Sequence, residues 1–234
     1  NITDPALIEG IHGQYAAAGS RIVNANTFGA SAHKLAGSAY TLEQVITAGI
    51  ENCKRACAPY GALTALDVGP LGELLEPSGT LAFEDAVAEY ARIVKAGEAA
   101  GADLIFFETY TDLYELKAAL LAAKENTHLP ILASMSFEAG GRTFTGCTVE
   151  SFAATARGLG ADAVGINCSL GPKEIFPMAK RLAEAVPGNF PVFVKPNAGL
   201  PRADGSGYDI TPQLFALQMK PYRELHLFAA GGCC

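Results

Sequence analysis

A chain of 234 residues, half of them hydrophobic, is long enough to bury one sizeable core, as a single large domain or two small ones. Its formal charge of −7 comes without any Lys/Arg cluster interleaved with aromatics, which excludes a nucleic-acid groove. No apolar run reaches the roughly 18 residues that span a bilayer, and the opening NITDPALIEGIHGQY lacks the charged start and apolar middle of a secretion signal, so a cytoplasmic protein with no membrane partner is expected.

In chain order, helix-period and strand-period segments alternate. Residues 5–18 carry apolar positions at three- and four-residue intervals behind Asp4-Pro5, and 21–25 is a short apolar strand. A helix over 41–58, opened by Thr41 with Glu43 and Gln44 following, leads to a strand at 62–67. Helix 82–100 leads to strand 103–108, helix 112–126 to strand 131–136, and helix 149–159 to strand 163–167. Helix 173–186 then leads to strand 192–195, and helix 211–223, behind Thr211-Pro212, to strand 225–230. Three helix exits, AAAGSRIVNANTF, AAGADLIFFET and GLGADAVGINC, repeat one wording, with a glycine where the helix stops and an apolar run soon after.

Near-continuous apolar strands between amphipathic helices indicate a parallel sheet covered on its faces, hence an α/β fold. The repeat favours a (β/α)8 TIM barrel, and no G-x-G-x-x-G follows the first strand to support an open dinucleotide-binding sheet. The pattern starts on a helix and ends on a strand, so a single barrel domain over 1–234 is expected to lack its first strand and last helix.

Barrel sites lie at the carboxyl ends of the strands. There this chain places Asn24, Asn26, Thr27, Asp67, Glu108, Thr109, Ser136, Asn167, Cys168, Lys195, Asn197, Cys233 and Cys234. Six cysteines in a reducing compartment point to metal or catalysis. Cys168, Cys233 and Cys234 can meet across the strand ends, and three soft thiolates with an open fourth position describe catalytic zinc. Adjacent residues on a strand point to opposite faces, so Gly231 and Gly232 are expected to supply the turn. From spacing alone, a buried cysteine pair and a vicinal disulfide remain equal alternatives. Cys53 and Cys57, four apart on a helix, read as core, and Cys147 as a bystander in a glycine-bounded loop. None of the four histidines has ligand spacing with another; His226 falls inside the last strand.

The stretches IHGQYAAAGSRIVNANTFGAS, ALDVGPLGELLEP, DLIFFETYTDLYELKAAL, AVGINCSLGP, VFVKPNAGLP and MKPYRELHLFAAGGCC resemble successive blocks of the homocysteine S-methyltransferase family. Within it, the wording is most similar to the amino-terminal homocysteine-binding domain of cobalamin-dependent methionine synthase. The resemblance implies a (β/α)8 barrel in which Cys168, Cys233 and Cys234 hold Zn2+, with homocysteine as substrate. It further implies methylcobalamin on a separate domain or partner, beside corrinoid-binding and methyltetrahydrofolate-binding domains or proteins. The family's opening D-G-(A/G)-x-G-T-type motif and its continuation past the two cysteines are not among these residues. Zinc would convert the substrate thiol to a nucleophilic thiolate. Glu108 is the candidate for the substrate ammonium, against a helix-capping role with Thr109. Asn197 is a candidate contact to zinc or amino acid, against a turn role. Asn26, Thr27 and Asp67 are pocket candidates, with structural hydrogen bonding the rival. Alternatives are a stand-alone enzyme using S-methylmethionine, betaine or another corrinoid protein, a zinc hydrolase, and a non-catalytic zinc or thiol-redox module.

Overall fold

The computed structural model describes residues 1–202 and 205–234. Seven strands and seven α-helices alternate among them: α1 (Pro5–Ala17), β1 (Ile22–Asn24), α2 (Leu42–Cys57), β2 (Leu63–Val68), α3 (Phe83–Ala99), β3 (Leu104–Tyr110), α4 (Leu113–Asn126), β4 (Ile131–Met135), α5 (Val149–Gly158), β5 (Ala163–Asn167), α6 (Pro172–Ala185), β6 (Val192–Lys195), α7 (Pro212–Met219) and β7 (Ala229–Ala230). Asp4 accepts from the Leu7 N–H with Pro5 in the first turn, and Thr41 and Gln44 form a reciprocal capping box. The Thr148 and Thr211 side chains cap α5 and α7 by accepting the Ser151 and Leu214 N–H groups. The glycines of the three repeated exits, Gly19, Gly101 and Gly160, take φ of 100°, 86° and 87°, a conformation in which any Cβ would be strained.

Two compact units divide the chain. The first comprises Asn1–Phe107 and Tyr114–Ile131, and the second Glu108–Leu113 and Leu132–Cys234. In the first, β1 pairs with β2 and β2 with β3, all parallel, with Asn24 beside Ala65 and Asp67 beside Phe106. Ile46, Ile50, Leu66, Ile105 and Leu116 are completely buried, each contributing about 1.5–3 kcal/mol relative to exposure. α3 sits close on β2 at Gly97, where a Cβ would come within 2.4 Å of Leu66 Cδ2. The buried Glu115 of α4 is satisfied by the Leu71 N–H at 2.7 Å and the Tyr90 hydroxyl at 2.9 Å.

In the second unit, β4, β5, β6 and β7 pair in parallel in chain order, with Asn167 beside Lys195 and Val194 beside Ala230. This register brings the ends of β5, β6 and β7 to one level. Gly165 on β5 leaves room for the buried Phe193 ring, which a Cβ there would meet at 2.3 Å. Two details depart from the sequence reading. The strand expected over 225–230 is reduced to Ala229–Ala230, because Lys220–Leu225 forms a 3-10 turn closed by His226 at φ 48°. His226 is thus a turn residue outside the strand. β3 also runs two residues beyond Glu108.

Candidate metal centre

Cys168 follows the last residue of β5, and Cys233 and Cys234 lie three and four residues beyond β7. Their Sγ atoms all lie within 4.8 Å of one another, with Cys168 and Cys234 at 3.9 Å. All are free thiols. Both cysteine segments hang on the exit of β6. The Cys168 N–H donates to the Lys195 carbonyl (3.1 Å), the Cys233 N–H to the Pro196 carbonyl (2.9 Å), and the Ala198 N–H to the Cys234 carbonyl (2.7 Å). The expected glycine turn is not what aims the pair. Gly231 and Gly232 both lie outside the left-handed region, and a Cβ on Gly231 would meet only Lys195 Cγ, at the ordinary contact distance of 3.4 Å. Left-handed backbone occurs across the cluster, at Cys168 (φ 63°) and Ser169 (φ 65°), which swing the first thiol out of the strand line.

Two asparagine amides fix the thiols. The Asn197 Oδ1 accepts the Cys234 N–H at 3.0 Å, and its amide hydrogen-bonds the Cys168 side chain. Asn197 therefore links the two halves of the cluster rather than merely forming a turn. Asn167, completely buried, accepts from the Thr109 N–H (3.0 Å) and the Ser134 hydroxyl (2.8 Å), and donates to the Thr109 hydroxyl (2.7 Å) and to Cys233 Sγ (3.8 Å). Thr109, a β-branched residue, is held at φ 66°, where such residues are rarely found. The sequence placed both at strand ends, Thr109 with only the helix-capping alternative beside Glu108 and Asn167 with no role.

Thiols this close share their protons unequally. A hydrogen bond from Cys233 holds the Cys168 thiol well below its ordinary range, at about 5, against the opposing effect of burial. Cys233, as the donor to Cys168 and a buried group near the Glu108 charge, is pushed up, and burial raises Cys234 as well. Elsewhere burial pushes Cys53 up to about 12 and Cys147 up to about 11. Cys53 and Cys57 are buried with sulfurs 3.8 Å apart, as core packing requires. In reduced, metal-free protein, iodoacetamide is therefore expected to label Cys168 at a rate that is level from about pH 6 upward and falls as the pH drops through 5. Cys53 and Cys57 should stay unlabelled until unfolding, and peptide mapping that found either modified before Cys168 would contradict this ordering.

Glu108 and Asn197 belong to the same unit as the cysteines. Glu108, only 8% exposed, receives a hydrogen bond from the Lys195 ammonium. The Tyr208 hydroxyl hydrogen-bonds the Cys234 side chain. Neither Lys195 nor Tyr208 was picked out as a site residue by the sequence. Asn26, Thr27 and Asp67 lie in the first unit. There the Thr27 hydroxyl donates to the Asp67 carbonyl (2.8 Å) and accepts its N–H (3.0 Å), tying the β1 exit to β2, while Asn26 is exposed.

Three thiolates around one tetrahedral ion at about 2.3 Å would lie about 3.8 Å from each other. The 3.9 Å separation of Cys168 and Cys234, within a 4.8 Å cluster, is close to that requirement, and soft sulfur donors suit zinc. The family profile for homocysteine S-methyltransferase matches residues 1–234, the whole chain. The chain belongs to the homocysteine S-methyltransferase family. It is 30% identical over 251 residues to the methionine synthase of Mycobacterium tuberculosis and 31% identical over 253 residues to that of Mycobacterium leprae. In both matches all of this chain is covered, but it spans only 21% and 20% of those relatives' length. The fold is that of a solved homocysteine methyltransferase of Escherichia coli, whose oxidized form aligns with TM-score 0.82 at 22% identity, covering 100% of this chain and 81% of that one. Its metallated form aligns with TM-score 0.79 at the same identity. The α/β fold of the TIM-barrel type expected from the strand and helix wording is therefore the observed one.

Proposed function

We propose that this chain is a zinc-dependent homocysteine-activating domain that accepts a methyl group on the homocysteine thiol and yields methionine. The observation that carries this reading is the convergence of Cys168, Cys233 and Cys234, with sulfurs within 4.8 Å, in a chain that matches the family over its whole length. When bound by these three thiolates, zinc supplies the Lewis acidity that removes the proton from a thiol at neutral pH. The protein's part is positional. Asn197 ties the Cys234 backbone to the Cys168 side chain, and Asn167 presents its amide to Cys233, so the donor set is oriented before substrate arrives. Glu108 lies close enough for its carboxylate to help raise the Cys233 thiol, and it takes the substrate ammonium. In the transfer, the homocysteine sulfur forms a bond to the methyl carbon while the carbon's bond to the donor breaks, its electron pair leaving with the donor.

The methyl donor of this reading is methylcobalamin on a separate domain or protein, served in turn by a methyltetrahydrofolate-binding domain. The methionine synthases of the two mycobacteria, about five times longer than the matched region, support a domain role. An all-thiolate donor set argues against hydrolysis, since hydrolytic zinc takes His or carboxylate ligands. The test is metal content and homocysteine titration of reduced protein in weak buffer. One zinc per chain and release of one proton per homocysteine bound are expected. Homocysteine binding that is equally tight without metal would sink the mechanism. Methionine formation from methylcobalamin, compared with S-methylmethionine and betaine, then assigns the donor.

A further inference from the structure

Two antiparallel arms, residues 198–202 and 205–210, follow β6 and rest against the cysteine cluster. The Pro201–Tyr208 bridge, the Arg202 N–H on the Gly207 carbonyl (2.8 Å) and the Asp209 N–H on the Leu200 carbonyl (3.2 Å) pair them. Gly199, at φ 82°, turns the chain so that the Leu200 N–H donates to Asp209 Oδ1 at 2.9 Å, and a Cβ on Gly199 would lie 1.7 Å from that oxygen. Every described residue from Leu200 to Asp209 is exposed, so the arms bury no core of their own. They are held at their base, where the Ile210 N–H donates to the Ala198 carbonyl (3.0 Å), and the base touches both halves of the cluster. On one side the Ala198 N–H donates to the Cys234 carbonyl (2.7 Å) and the Tyr208 hydroxyl donates to the Cys234 side chain. On the other side lies the loop that carries Cys168. A Cβ on its buried Gly171 would meet Ile210 Cδ1 at 3.0 Å and Gly199 Cα at 3.6 Å, and its Leu170 carbonyl accepts the Asn197 N–H (3.0 Å).

We infer that the paired arms are a metal-responsive element: filling the three-cysteine centre fixes them, and emptying it releases them. This rests on the reading of Cys168, Cys233 and Cys234 as zinc donors made above. Donors on one ion are held at one separation, and the base of the arms bridges the two segments that carry Cys168 and Cys234. Without that tie the arms have only solvent-exposed backbone hydrogen bonds, the kind of structure that opens locally at small free-energy cost. Tyr208 is a positioning residue in this scheme, linking the second arm to Cys234. Such coupling is reciprocal, so whatever fixes the arms raises metal affinity by the factor by which metal fixes the arms. The consequence is a surface that differs between loaded and empty protein, since Leu200, 61% exposed, and Tyr208 keep one arrangement only when the centre is filled.

The test is amide hydrogen exchange of the reduced chain with and without one equivalent of zinc, with α5 as the internal reference. Zinc is expected to slow exchange at Leu200, Arg202, Asp209 and Ile210 by about 10-fold or more beyond any slowing in α5. The reciprocal arm uses Asp209→Ala, which removes the acceptor of the Leu200 N–H without touching a cysteine and should weaken zinc by about 10-fold. Asp209→Asn keeps an oxygen at that place and should restore most of the affinity. Tyr208→Phe should leave the arms exchanging faster in the presence of zinc than they do in wild type. If zinc binds at one equivalent and the arms exchange as before, or slow no more than α5, the ion only stabilises the fold as a whole and the inference fails. It fails equally if Asp209→Ala, with α5 exchanging as in wild type, keeps wild-type zinc affinity. Wild-type protein that binds no zinc would instead overturn the functional reading, and the inference with it.

Discussion

Cys234→Ser is expected to lose stoichiometric zinc, and with it the proton release that accompanies homocysteine binding. A serine hydroxyl is nearly isosteric with the thiol, but it is a hard, neutral donor that does not ionise near neutral pH, so the site falls from three thiolates to two. Altering an outer hydrogen-bond partner of a metal ligand typically costs 10- to 100-fold in metal affinity, and loss of a ligand should exceed about 100-fold. Cys168→Ser should behave alike and also remove the acceptor to which Cys233 donates. Cys147→Ser is the matched control, because that sulfur is occupied by the Thr148 carbonyl at 3.3 Å and is no part of the cluster. Metal removal gives a second readout. At zinc a hundredfold above Kd the bound ion stabilises the fold by about 2.7 kcal/mol, so chelation should lower Tm by about 5–10 °C in a chain of this size. The same chelator should leave Cys234→Ser almost unmoved. Zinc retained at one equivalent by Cys234→Ser would remove that residue from the donor set.

That Cys168, Cys233 and Cys234 could converge was legible because a Cys-Cys pair after two glycines and a single cysteine fall at strand ends, but spacing left a buried pair or a vicinal disulfide open and the family resemblance singled out the set. The strands were legible for the same kind of local reason. A run such as LIFFETY has no other way to bury five consecutive residues, and the glycine-terminated helices mark where each unit begins. What stayed hidden depends on distant partners. Nothing near Thr109 announces a left-handed φ at a β-branched residue; Asn167, 58 positions away, imposes it through two hydrogen bonds. Lysine at the end of a strand reads as a solvated charge, and Lys195 takes its meaning only from Glu108, 87 positions earlier. The run from Leu225 to Ala230 misled because its apolar residues suit a strand, whereas Pro221 starts a 3-10 turn that carries the chain as far as His226. Gly231 and Gly232 suggested a turn by their chemistry, but neither takes a left-handed φ, and the left-handed residues at the cluster are Cys168 and Ser169.

Asn167→Ala is expected to be the most damaging change away from the three clustered cysteines. The side chain is completely buried and makes contacts to Thr109, Ser134 and Cys233. Truncation leaves the Thr109 N–H without its acceptor and removes the bonds that hold Thr109 in a conformation costing about 1–3 kcal/mol. Relaxation of Thr109 toward ordinary extended backbone would shift Glu108, its immediate neighbour, and so disturb the substrate end and the metal end together. The expected result is a loss of about 2–4 kcal/mol in stability with zinc affinity down about 10- to 100-fold. Asn167→Asp separates the two effects. It preserves the acceptor for the Thr109 N–H and the side-chain volume, so much of the stability should remain. It loses the donor to Cys233 and sets a carboxylate 3.8 Å from that sulfur, so zinc affinity should fall nearly as far as in the alanine variant. Denaturant titration and zinc competition on the two variants make the comparison. If Asn167→Asp keeps wild-type zinc affinity while Asn167→Ala loses it, Asn167 acts only through the backbone of Thr109 and its amide does not tune the thiolate. The opposite pattern, full stability with weakened metal in both, would place its whole contribution at Cys233.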